Sequence, residues 1–159
     1  MLALKIKDIV FKNPIMVASG TFGYGNEASD LVDLSKFGGI ITKSVTRHPR
    51  EGNPPPRICE VASGMLNSIG LANLGVEDYV QEKIPFLNKI DSNVIINIAG
   101  TKIEDYIETL EILEGASGNH IGYEINISCP NVKEGGLEFG VSSKLTKSLT
   151  KELRARTDK

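Results

Sequence analysis

Glu124-Ile125-Asn126-Ile127-Ser128-Cys129-Pro130-Asn131 is an apolar-periodic strand that stops at a cysteine held between amide side chains. A thiol at the end of a strand, followed at once by proline, lies where backbone leaves a sheet and side chains converge on a ligand. Cys59 is the only other cysteine, so the pair makes no disulfide framework and a reducing compartment is expected. A chemical role for Cys129 therefore stands beside the plainer one, a small buried hydrophobe. Cys59 has nothing polar of interest around it and reads as that hydrophobe.

Three further apolar runs resemble this one. They are Pro14 to Ser19, Gly39 to Lys43 and Asn93 to Ile98, and the fourth spans Ile121 to Ser128. Helical segments are expected near Glu27 to Ser35, from Ile103 to about Leu113 with Thr101 as a cap, and from Ser143 to Arg156. In the last of these Leu145, Leu149 and Leu153 fall on one core-facing stripe. Leu4 to Lys7 and Ile9 to Phe11 can form a small hairpin. Residues 44–75 are a long insertion, rich in glycine and broken by Pro54-Pro55-Pro56, that reads as a loop containing a hairpin. Strand then helix, repeated, means a parallel sheet with right-handed crossovers. Two architectures compete, an open doubly wound sheet and part of a (β/α)8 barrel. Gly20-Thr21-Phe22-Gly23-Tyr24-Gly25 lacks the spacing of a dinucleotide turn, which favours the barrel.

Polar residues are excluded from the strand bodies and admitted at one edge: Ser19, Lys43 with Ser44, Asn97, and Asn126 through Asn131. In parallel α/β folds that edge is where ligands bind. Each residue also has a plainer reading. Lys43 can be a solvated lysine, Asn97 and Asn126 can satisfy loose backbone groups, and Asn67-Ser68-Ile69-Gly70-Leu71 can be only a turn. His48 and His120 have no ligand-spaced partners, so neither a metal nor a catalytic role is assigned to them.

The whole chain has 159 residues, a net charge of −2, 40% hydrophobic and 24% charged residues. That fits one globular domain and argues against a nucleic-acid surface. Lys5, Lys7 and Asp8 interrupt the start where a signal peptide would be apolar, and no run reaches the length of a membrane span. A soluble, cytoplasmic protein is the expectation.

Five stretches together resemble the class 1 dihydroorotate dehydrogenases, and more closely their class 1B branch. They are Asn13 to Gly23, Gly39 to Thr46, Arg50 to Arg57, Gly64 to Leu71 and Asn126 to Lys133. The resemblance implies a (β/α)8 TIM barrel with flavin mononucleotide (FMN) at its C-terminal face, oxidising dihydroorotate to orotate in pyrimidine biosynthesis. By matching position, Ser19, Lys43, Ser44, Asn97 and Asn126 would contact the flavin. Lys43, Asn67, Ser68, Ile69, Gly70, Leu71, Asn126 and Asn131 would hold the substrate, and Cys129 would be the base. Class 1B enzymes are homodimers that pass electrons to NAD through a partner subunit carrying FAD and a 2Fe-2S cluster; this chain has neither the cysteines nor the motif for those groups.

Family members run to roughly twice this length, and the match ends where a fifth strand is expected. Residues 1–159 thus correspond to about the first four β/α units, the N-terminal half of one barrel, with 44–75 as its substrate-side insertion. Alone, such a half is expected to be inactive and to expose the edges of its first and fourth strands. A part of a longer protein, a fragment completed by another chain and a truncation all remain open. Two other functions stay in view: a non-catalytic half-barrel interaction module, and a domain like that of dihydropyrimidine dehydrogenase.

Overall fold

The computed structural model describes residues 2–128 and 136–159, so Cys129 and Asn131 lie outside the described residues. A hairpin of β1 (Leu4–Ile6) and β2 (Ile9–Phe11) opens the chain, as expected. The central sheet follows, formed by β3 (Met16–Val17), β4 (Gly39–Ile41), β7 (Asn93–Ala99) and β8 (Gly122–Asn126). Every neighbouring pair is parallel, and the order β3-β4-β7-β8 follows the chain without reversal. A doubly wound sheet would reverse its order at a switch point, whereas consecutive winding is how a barrel grows. The residues 44–75 do contain a hairpin, β5 (Ile58–Val61) with β6 (Gly64–Asn67).

Side chains alternate across the sheet with a period of two. Val94, Ile96 and Ile98 face the helices and pack with Tyr106, Leu110 and Leu113 of α3 (Ile103–Gly115) and with Leu149 and Leu153 of α5 (Ser143–Arg154). The stripe read from the sequence is therefore the core face of α5. Between β6 and β7 the chain winds as α1 (Val76–Asp78), a π-helical turn (Tyr79–Lys83) and α2 (Ile84–Leu87). Pro85 has no N–H to give to the preceding turn, and the N–H of Ile84 reaches back to the carbonyl of Tyr79. A short helix α4 (Gly136–Val141) precedes α5.

Three expectations need correction. The segment after β3 is not a helix but two short 3-10 turns, Asn26–Ala28 and Leu34–Lys36. Asp33 accepts from the N–H of Ser35 at 3.0 Å and from its hydroxyl at 2.6 Å, a local bond that competes with helical pairing. Thr101 does not cap α3 by itself; it donates to Asp105 from both its N–H and its hydroxyl, at 2.9 and 2.7 Å. Burial works against the charge of Asp105, yet the bonds from Thr101 and Lys102 outweigh it and hold the carboxyl below its ordinary value. Cys59 is exposed rather than buried, because all eight residues of the β5–β6 hairpin stand away from the core. Among the described residues no helix is long and apolar enough to cross a membrane.

Candidate functional site

The cleft begins with an irregularity in β4. Its register with β7 runs from Ile41 opposite Ile95 to Val45 opposite Ile98, four residue steps on one strand against three on the other. The extra residue is a bulge, a device that re-aims side chains. Across it the N–H of Lys43 leaves β7 and donates to the carbonyl of Gly23 at 2.8 Å, and Val45 returns to the ladder by donating to Asn97 at 2.9 Å. Lys43 and Ser44 are thereby turned to the C-terminal edge of the sheet, where a cleft of about 520 Å³ opens. Its size lies in the ordinary range for small-molecule sites, roughly 300–1,000 Å³.

Seven residues singled out in the sequence line this cleft: Ser19, Lys43, Ser44, Asn67, Ile69, Leu71 and Asn126. Ser19 arrives from the loop after β3. Asn126 ends β8, and its Nδ2 donates to the Ser44 hydroxyl at 3.0 Å. Its Oδ1 also accepts from the N–H of Ser128 at 3.3 Å, so satisfying loose backbone is part of what Asn126 does. The Tyr106 hydroxyl donates to the Asn126 carbonyl at 2.7 Å and fixes that strand end from the helix side. Lys43 is half-buried, and its ammonium pairs with no carboxylate among the described residues.

Asn67, Ile69 and Leu71 reach the cleft because residues 67–71 are strapped to the preceding leg of the insertion. Asn53 donates from Nδ2 to the carbonyl and hydroxyl of Ser68, at 3.0 and 2.9 Å, and from its backbone to Ile69 at 3.1 Å. Ser68 itself donates to the carbonyl of Arg57 at 2.7 Å. Gly70 has φ +73°, and a Cβ there would lie 2.6 Å from the backbone nitrogen of Asn53. Ser68 and Gly70 therefore shape the loop without lining the cleft.

Asn97 lies elsewhere than its position suggested. It sits inside β7, not at the end, and is buried at 3% exposure rather than lining the cleft. Its backbone N–H meets Thr42 Oγ1 at 3.4 Å, and its Nδ2 donates to Glu124 Oε1 at 2.5 Å, while Oδ1 is buried without a partner. Sequence reading missed Glu124, whose signal was its alternation with Asn126 on one face of β8. It also missed Gly20, Thr21, Ile58 and Met65, which complete the cleft; the last two come from the exposed hairpin.

The family model described as dihydroorotate dehydrogenase matches residues 1–159. The chain belongs to the dihydroorotate dehydrogenase family. It is 49% identical over 154 residues to a protein of Bacteroides thetaiotaomicron named dihydroorotate dehydrogenase B (NAD(+)), catalytic subunit, covering 97% of this chain and 50% of that one. A protein of the same name from Phocaeicola vulgatus is 52% identical over 143 residues, 89% of this chain and 46% of the relative. The chain thus spans about half the length of the curated dihydroorotate dehydrogenases it matches. A crystal structure of the enzyme from Eimeria tenella, in complex with ferulenol, superposes with a TM-score of 0.76 at 20% identity, over 98% of this chain and 43% of that one. At that identity the likeness speaks for the fold, an α/β parallel sheet of the dihydroorotate dehydrogenase kind.

Proposed function

We propose that these residues form the N-terminal half of a cytoplasmic dihydroorotate dehydrogenase, the first four units of one (β/α)8 barrel, which oxidises dihydroorotate to orotate in pyrimidine biosynthesis. The observation that carries this reading is the gathering of Ser19, Lys43, Ser44, Asn67, Ile69, Leu71 and Asn126 around one cleft at the C-terminal edge of the sheet. The named relatives give the reaction class.

The residues fit FMN. Among the described residues the Lys43 ammonium has no carboxylate partner, and the buried Oδ1 of Asn97 is an acceptor in want of a donor. Ser19, Lys43, Ser44, Asn97 and Asn126 would hold the cofactor, which when bound accepts the hydride that leaves the substrate. Lys43, Asn67, Ile69, Leu71, Asn126 and Asn131 would hold the pyrimidine ring, with the three amide side chains matching its alternating donors and acceptors, while Ser68 and Gly70 would shape the loop. The strapped loop would shield the ring from water. Cys129 would take the proton from the carbon beside the substrate carbonyl; a thiol with a reference pKa of about 8.5 is a usable base, and a nearby positive charge, for which Lys43 is the candidate, would favour its thiolate. Electrons would leave to NAD through a partner subunit with FAD and a 2Fe-2S cluster, bound to a homodimer of the catalytic subunit.

The test is Cys129→Ser in the complete polypeptide that carries these residues. Turnover should fall by about 10²–10⁴-fold, the worth of a general base, with the flavin absorption unchanged. Full activity would overturn the base assignment, and tight binding of uracil with none of orotate would overturn the substrate.

A further inference from the structure

We propose that Glu124 is a positioning residue that sets the polarity of Asn97 toward the cofactor; the inference rests on the FMN reading above. Asn97 and Glu124 are register partners on adjacent strands, in the layer directly beneath Ala99 and Asn126. Asn126 lines the cleft, so Asn97 and Glu124 lie one layer below its lining. An ionised carboxylate can only accept hydrogen bonds, and Glu124 Oε1 lies 2.5 Å from Asn97 Nδ2. The amide must therefore turn its NH₂ to Glu124 and its carbonyl away. The reverse rotamer would set two oxygens against each other and strand both N–H donors.

The carbonyl so directed is one of the buried polar atoms that have no partner among the described residues. Leaving such an acceptor unmade costs about 1–3 kcal/mol, so native structures rarely keep one without a use. The complement is a ring N–H flanked by carbonyls, which is what the pyrimidine end of a flavin offers. Without Glu124 the amide is free to rotate and can present a donor where an acceptor is required. Glu124 touches neither the cleft nor a reacting atom, and acts through Asn97 alone.

The experiment uses the complete polypeptide carrying these residues, with FMN affinity read by fluorescence quenching and the flavin absorption band recorded. Glu124→Leu should weaken FMN by about 10-fold, in keeping with one buried hydrogen bond. Glu124→Gln should recover part of the loss, because its carbonyl still accepts from Asn97 while its NH₂ permits the wrong rotamer. Asn97→Ala should match Glu124→Leu in affinity and in band shift, and adding Glu124→Leu to it should cost less than about a further 2-fold, the mark of coupled residues. An equal loss from Glu124→Leu in both backgrounds, or no loss in either, overturns the proposal. Should Glu124→Leu fail to fold, the isosteric Gln variant decides by the same comparison. A cofactor-free readout separates this inference from the reading beneath it: the side-chain amide ¹⁵N–¹H signals of Asn97 should move on Glu124→Gln even if the wild-type protein binds no FMN. Such a failure to bind would sink the flavin reading, whereas an unmoved Asn97 signal would sink Glu124.

Discussion

Gly70→Ala should detach the loop that closes the cleft. At φ +73° an L side chain is strained by about 1–2 kcal/mol. The added Cβ would also stand 2.6 Å from the backbone nitrogen of Asn53 and 2.9 Å from its Cγ, distances that force one leg of the insertion to move. Moving it lengthens the bonds from Asn53 to Ser68 and Ile69, each worth about 1 kcal/mol net. We expect a local loss of about 2–4 kcal/mol in the stability of residues 50–73. The global fold should be little affected, because the hairpin and its loop stand outside the core formed by the sheet and helices. Native-state hydrogen exchange reads this directly. The backbone N–H of Asn53, which donates to Ile69, should exchange about 30-fold faster or more, while those of Ile96 and Ile98 stay protected. Orotate should bind correspondingly more weakly, with FMN affinity nearly unchanged. Wild-type protection at Asn53 together with wild-type orotate affinity would refute the claim that the glycine permits this close approach.

Two further outcomes are expected. Burial, and then the charge of Lys159, push the pKa of His120 down to about 4. The unfolded chain binds a proton near pH 6.5 and the folded chain does not, so stability should be flat above pH 6.5 and fall by about 2–3 kcal/mol as pH drops toward 4. Urea titrations at pH 7 and pH 5 check this, and a His120→Gln variant with the same pH dependence as wild type would refute it. Tyr106→Phe removes the donor to the Asn126 carbonyl at 2.7 Å and should destabilise the chain by about 1–2 kcal/mol, measured by thermal unfolding, while weakening orotate. Unchanged ligand affinity in that variant would mean that the strand end is held by other contacts.

The fold was legible where its signal was repeated. Four apolar runs left little freedom about strand identity, and the stripe of Leu145, Leu149 and Leu153 left little about α5. The failure at Glu27 to Ser35 has a local cause. Helical spacing was there, but Asp33 could bond its own neighbour Ser35, and no packing face repaid a helix at that place; Leu31 is 88% exposed. Hydrophobic period alone does not report this competition.

The site was legible only along its rim. Searching strand ends found Ser19, Lys43, Ser44 and Asn126, since ligands meet a parallel sheet at that edge and polar side chains there stand out against Ile and Val. The same search took Asn97 for a strand-end residue, though it lies two residues inside its strand, and passed over Glu124 altogether. A carboxylate one layer beneath the rim looks, in sequence, like any exposed residue of an alternating strand. What distinguishes it is the partner across the ladder, and that depends on register, which no stretch of β8 alone contains. Rim residues can be recognised from their own strand, whereas a residue that orients another is defined by a pair. The buried carbonyl of Asn97 makes the pair consequential: two strands far apart in sequence must be set in one register before an acid on one can decide which end of an amide on the other faces the ligand.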